Sequence, residues 1–131
     1  MNKKIKYIDG IRFYRSIVVG INNLISRQDY LNQINVFPVP DGDTGTNMAF
    51  TVNEILEGTS GTVSSNIGEM SQQVADLALD GARGNSGAIL AQFFVGLSES
   101  LENKEKMSVQ DFARAFEKAS DNAWDALSNP Q

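Results

Sequence analysis

The residues with the clearest chemical potential form one short run, Asp41-Gly42-Asp43-Thr44-Gly45-Thr46-Asn47. Asp41 and Asp43 stand two apart in a tight glycine-containing segment. At that spacing two carboxylates can converge on a hard divalent cation that keeps part of its water. Thr44, Gly45 and Thr46 follow where a helix should begin. The first N–H groups of a helix lack intrahelical partners, and the helix dipole favours an anion there. Gly42 and Gly45 let backbone come close to a ligand. Carboxylates beside an anion site repel the anion unless a cation lies between them. The run therefore points to a loop that binds a divalent metal together with the phosphates of a nucleotide. The same residues also admit a purely structural reading, with Asp41-Gly42 as a turn and Asp43 or Thr44 as a helix cap.

Two familiar alternatives do not fit the run. Counted from Asp41, an EF-hand loop would need Gly where Thr46 stands and Glu where Val52 stands. A Walker-type phosphate loop would need Gly-Lys-Ser/Thr after a strand, and none is present. A second glycine-rich segment, Gly81-Ala82-Arg83-Gly84-Asn85-Ser86-Gly87, has glycines three apart. No strand precedes it, so its match to a dinucleotide fingerprint is weak. It can act as a second backbone cradle, with Arg83, Asn85 and Ser86 donating to phosphate. It can equally be a helix C-cap at Gly81 followed by a cap at Asn85. The two readings are compatible.

Composition narrows the metal. The chain has 131 residues with no cysteine and no histidine. That excludes a disulfide framework, a thiolate or imidazole zinc site, and nucleophilic triads built on His or Cys. A metal must be held by oxygen, which points to magnesium, calcium or manganese. The net charge of -5 gives no electrostatic support for nucleic acid or a membrane surface. No apolar run is long enough to span a bilayer, and the lysines at 3, 4 and 6 are not followed by a signal-type apolar stretch. The expectation is a cytoplasmic protein of one domain.

The elements that must position these segments read as helices almost throughout. Tyr7, Ile11, Tyr14, Val18, Ile21 and Ile25 make one apolar stripe, with Asp9 as a cap. A short helical piece is expected around Gln28 to Ile34, and Pro38 and Pro40 then enforce an extended path. The next helix begins near Thr44 and carries Met48, Val52, Ile55 and Leu56. Gly58 to Ser65 reads as a loop. A helix with Ile67, Met70, Val74, Leu77 and Ala78 stops at Asp80-Gly81, and another carries Leu90, Phe93, Phe94, Leu97 and Leu101. Glu102 to Lys106 connects to a last helix capped by Ser108 and Asp111, with Met107 stapled to Phe112. Its predicted buried stripe is Val109, Phe112, Phe116, Ala119, Ala123 and Leu127. No strand shows convincing alternation. The expected fold is all-α, an antiparallel helix bundle or barrel of about six helices.

The stretch Asn35-Val36-Phe37-Pro38-Val39-Pro40-Asp41-Gly42-Asp43-Thr44-Gly45-Thr46-Asn47-Met48, with Gly81 to Gly87 after it, resembles the N-terminal kinase domain of bacterial fatty acid kinase. That domain belongs to the family of the nucleotide-binding L subunit of dihydroxyacetone kinase. The resemblance implies an all-α barrel with ATP and two magnesium ions at one end. It implies metal ligands at Asp41 and Asp43. A further ligand is implied at Asn35, where dihydroxyacetone kinases carry Asp and the fatty acid branch carries Asn. It implies phosphate contacts at Thr44, Gly45, Thr46, Asn47 and Met48 and at Ala82, Arg83, Gly84, Asn85 and Ser86. Arg83 would act beside Asp41 and Asp43 in catalysis. The implied partner is a lipid-carrier protein presenting a fatty acid, whose carboxylate becomes an acyl phosphate. Such an acceptor is already ionised, in keeping with a chain that has no histidine to serve as base. Relatives of this kind continue past the position of Gln131, so the chain is expected to be truncated at its C-terminal side. Its helices would then expose apolar faces that a second copy covers, giving a homodimer.

Overall fold

The computed structural model describes residues 6–34 and 42–128. Six helices are present among them: α1 (Gly10–Ser26), α2 (Gln28–Gln33), α3 (Thr44–Gly58), α4 (Ile67–Gly81), α5 (Gly84–Ser100) and α6 (Val109–Ser128). The class is all-α, as the helical periodicity predicts. One small addition escaped that periodicity. Two-residue strands β1 (Ile8–Asp9) and β2 (Lys106–Met107) pair antiparallel, Ile8 opposite Met107. A ladder this short leaves no alternation to detect.

Local signals explain most helix starts. The Asp9 side chain accepts from the Arg12 amide at 2.9 Å and caps α1. Asn66 does the same for α4 through the Glu69 amide, also at 2.9 Å. The α1 start is pressed onto the connection before α4. The Gly10 amide donates to the Ser65 carbonyl at 2.8 Å, and a Cβ at Gly10 would stand 2.1 Å from the Ser64 carbonyl oxygen. Helices α3 and α4 run antiparallel, since Gly58 faces Leu77 while Gly81 faces Thr51 and Glu54. The core they enclose with α1 and α5 includes Phe13, Ile21, Val52, Ile55, Met70, Val74 and Leu97.

Two predicted stripes need correction. On α1 the buried hydrophobics are Phe13 and Ile21, and Tyr14, Ile17, Leu24 and Ile25 pack partly buried against the core; Ile21, Tyr14 and Ile25 of the expected stripe thus face inward, whereas Ile11 is exposed. Tyr7 lies before the helix, half exposed, with the Lys106 ammonium 4.7 Å from its ring centroid. It therefore never shares the helical period. On α6 the fully buried residues are Ala115 and Ala119, whereas Val109, Phe112 and Phe116 are exposed. The cause is the close approach of α5. A Cβ at Gly96 would lie 2.6 Å from the Ala119 Cα, so only small side chains fit that seam. The larger residues are displaced to its edge, where Phe116 meets Phe93 edge-on at 5.5 Å. Trp124 is also exposed on this helix.

The cap on α6 is as the sequence predicts. The Ser108 amide donates to Asp111 Oδ2 at 3.0 Å, and the Asp111 amide donates to Ser108 Oγ at 3.1 Å. The Ser108 amide is the largest influence on the Asp111 carboxyl. Burial opposes it, and the Ser108 hydroxyl, Lys104 and Arg114 assist, so the pKa falls from 3.8 to about 2. A depressed folded-state pKa contributes stability above the unfolded value that is lost as pH falls through the folded value. Urea titrations should therefore show the difference between the native protein and Asp111→Asn shrinking between pH 4 and about pH 2. Loss of the hydroxyl cap in Ser108→Ala should cost about 1 kcal/mol at neutral pH, measured the same way.

Candidate functional site

The segment between α2 and α3 is described only from Gly42 onward, so the predicted ligands Asn35 and Asp41 lie outside the described residues. Gly42 has φ +73°, a left-handed value that suits glycine and turns the chain into α3. Asp43 is the N-cap residue, yet its side chain makes no capping bond. Its carbonyl accepts from the Asn47 amide at 2.9 Å, the first turn of the helix. The side-chain cap comes instead from α2. Asn32 Oδ1 accepts from the Thr46 amide at 3.0 Å. Asp43 thus holds the N-cap position that the structural reading gives it, while the side-chain capping bond comes from Asn32. Among the described residues no group of three or more acidic, His or Cys side chains could hold a metal; of the two predicted carboxylates, Asp43 lies within those residues and Asp41 does not.

The second segment is less of a loop than its glycines suggest. α4 runs through Gly81 and α5 starts at Gly84, leaving only Ala82 and Arg83 between them. Ala82 rather than Gly81 is the C-cap, and Arg83 rather than Asn85 is the N-cap, with no capping bond from its side chain. Gly84 makes the tight link by adopting φ +67°. Gly84, Asn85 and Ser86 thus form the first turn of α5, where amides point outward for want of carbonyl partners.

The structure brings these two helix starts together. Thr51 on α3 is fully buried; its hydroxyl donates to the Asn47 carbonyl at 2.8 Å and accepts from the Arg83 amide at 3.3 Å. A Cβ at Gly84 would stand 2.4 Å from Asn47 Nδ2, and one at Gly87 would stand 2.4 Å from Thr51 Oγ1. The Arg83 guanidinium stacks over the Phe50 ring at 3.8 Å. Of the predicted phosphate contacts, Thr46, Ala82, Arg83, Gly84 and Asn85 are exposed, and Thr44, Met48 and Ser86 are partly so, as is the predicted metal ligand Asp43. Gly45 and Asn47 are buried: Gly45 lies against α2, and Asn47 packs under Gly84. Each helix start carries about half a positive charge from its dipole. Two such starts side by side, with donors between them, suit a polyphosphate chelated to a cation. The residues present fit magnesium and a nucleotide in two respects: a hard carboxylate oxygen at Asp43, and an exposed first turn of α5 at Gly84 and Asn85.

Residues that sequence reading missed are Asn32, Gln28 and Thr51. Asn32 and Gln28 act across 14 and 18 positions, a separation at which no local pattern announces them. Thr51 sits inside a helix where nothing in its spacing marks it. Gly84→Ala should lower the unfolding free energy by roughly 1–2 kcal/mol for the left-handed backbone alone. It should also shift the Asn47 side-chain amide resonances, which two-dimensional NMR would register.

Comparison with known proteins places this geometry. Residues 38–131 match the DAK2 domain, a span that includes both helix starts. The chain is 43% identical to an uncharacterized protein of Staphylococcus saprophyticus, over 94% of the chain and 22% of that protein. It is 41% identical to one from Staphylococcus epidermidis, over 96% of the chain and 23% of that protein. A Staphylococcus aureus relative is 38% identical over the same shares. The chain spans less than a quarter of the length of these curated relatives. With most of its length matched, and with the glycine-rich helix starts inside the match, this chain belongs to the DAK2 domain family, the dihydroxyacetone kinase L subunit type.

Proposed function

We propose that this chain is the nucleotide-binding part of an ATP- and magnesium-dependent phosphotransferase whose acceptor is a fatty acid carboxylate presented by a lipid-carrier protein. The observation that carries the nucleotide part is the pairing of the α3 and α5 N-termini through Thr51, Asn47 and Gly84. Membership of a kinase-related family supports it. In this reading Asn35, Asp41 and Asp43 hold magnesium. Thr44 to Met48 and Ala82 to Ser86 line the phosphates, and Arg83 offsets charge on the group in transfer. Bound magnesium would supply charge neutralisation between the phosphate oxygens.

The chemistry asks little more of the protein. The acceptor oxygen bonds to the terminal phosphorus as the bond to the bridging oxygen breaks and ADP leaves. An ionised carboxylate brings no proton to remove, so a chain without histidine is adequate to it. A hydroxyl acceptor of the dihydroxyacetone type would need a base, and the family resemblance makes it the alternative acceptor.

Two measurements test the proposal. Calorimetric titration with Mg-ATP should give saturable binding that Asp43→Asn weakens at least about tenfold, as loss of one metal-bound charge would. An Asp43→Asn variant binding as tightly as the native chain would remove Asp43 from the site. Incubation with labelled ATP, magnesium, a carrier and fatty acid should yield a hydroxylamine-sensitive acyl phosphate. Product from dihydroxyacetone instead would reassign the acceptor, and no product from either would leave a nucleotide-binding module.

A further inference from the structure

The exposed start of α3 carries a hydrogen-bond arrangement that capping alone does not require. Asn32 already satisfies the Thr46 amide through its Oδ1. It also donates from Nδ2 to Thr46 Oγ1 at 2.9 Å, and Gln28 Nε2 donates to the same oxygen at 3.3 Å. A threonine hydroxyl has two acceptor lone pairs and one proton to give. Here both lone pairs face amide donors from α2. With both of these amides donating, the hydroxyl proton points away from α2. The register is firmly held, because Gly45 sits against the α2 backbone: a Cβ there would stand 2.1 Å from the Gln28 carbonyl oxygen. Thr46 itself is exposed, at the same helix start as Asp43.

We propose that Asn32, with Gln28 in support, is a positioning residue that turns the Thr46 hydroxyl into a dedicated outward donor for a phosphate oxygen of the bound nucleotide. The assignment rests on the nucleotide site proposed above. It explains why an amide side chain stands at position 32. An ionised Asp there could accept from the Thr46 amide and keep the cap, but it could not donate to the hydroxyl. The hydroxyl would instead rotate and give its proton to that carboxylate, withdrawing the donor from the ligand. A hydroxyl with both lone pairs filled by donors is also the more polarised one, and a hydrogen bond to an anion gains from that.

A double-mutant cycle tests this on the whole chain, with Mg-ATP as the titrant and calorimetry as the readout. Thr46→Val keeps the shape and removes the hydroxyl, so affinity should fall about tenfold or more, the size of a hydrogen bond to a charged group. Thr46→Ser should retain affinity. Asn32→Asp should weaken binding in the native background and markedly less in the Thr46→Val background, because the hydroxyl it misdirects is already gone. In the absence of nucleotide, the Thr46 amide should exchange faster with solvent in Asn32→Ala and unchanged in Thr46→Ser. Native protein that binds Mg-ATP while Thr46→Val binds equally well overturns the positioning role and leaves the proposed function standing. So does strict additivity of Asn32→Asp and Thr46→Val. Native protein that binds no Mg-ATP overturns both. Should Asn32→Asp fail to fold, the Thr46→Val and Thr46→Ser pair decides, since position 46 is exposed.

Discussion

The hydroxyl of Thr51 holds two remote parts of the chain in one place. It gives its proton to the carbonyl of Asn47 and takes one from the amide of Arg83, a residue 32 positions later. Both bonds are made in a fully buried position, where an unpaired polar group would be costly. The contacts around it are all of the same kind. Gly81 lies against Thr51 and Glu54, Gly84 against Asn47, and Gly87 against Thr51 itself. Each glycine removes a side chain from a place where α3 and the α4–α5 link would otherwise collide. Glycines that look like a flexible loop in the sequence are the condition for a close and fixed contact.

From that contact follows the electrostatic character of the site. Two helix starts point the same partial charge at one region, which disfavours a cation alone and favours an anion. Asp43 adds a negative group there whose side chain is not engaged in capping. The two signs are compatible when an anion and a cation bind together. α2 completes the arrangement by taking over the capping task through Asn32. The short helix between the first long one and the motif thus has a definite office, which its six residues would not suggest.

Much of this was legible in the residues. The helices, the Ser108–Asp111 cap and the Asp9 cap follow from local rules, and they stand where those rules put them. On α6 the expected stripe holds at Ala119 and departs at Val109, Phe112 and Phe116, because periodicity tells which residues are apolar and not how near the partner helix comes. Gly96 lets α5 approach so closely that alanines, not phenylalanines, line the seam. The second glycine segment reads in sequence both as a backbone cradle and as helix caps, because glycine at a positive φ and glycine under a packed neighbour look alike there. Asn32 and Thr51 were invisible because their roles are tertiary. Of the proposed metal ligands, Asp43 lies among the described residues, and Asn35 and Asp41 lie outside them.

The central claim is that the starts of α3 and α5 form one anion-binding surface. Amide NMR of the native chain during titration with Mg-ATP tests it most directly. The account predicts that resonances of Thr44 to Asn47 and of Gly84 to Ser86 shift together with a single saturation curve. Shifts confined to one helix start, or absent from both while the protein remains folded, would contradict it.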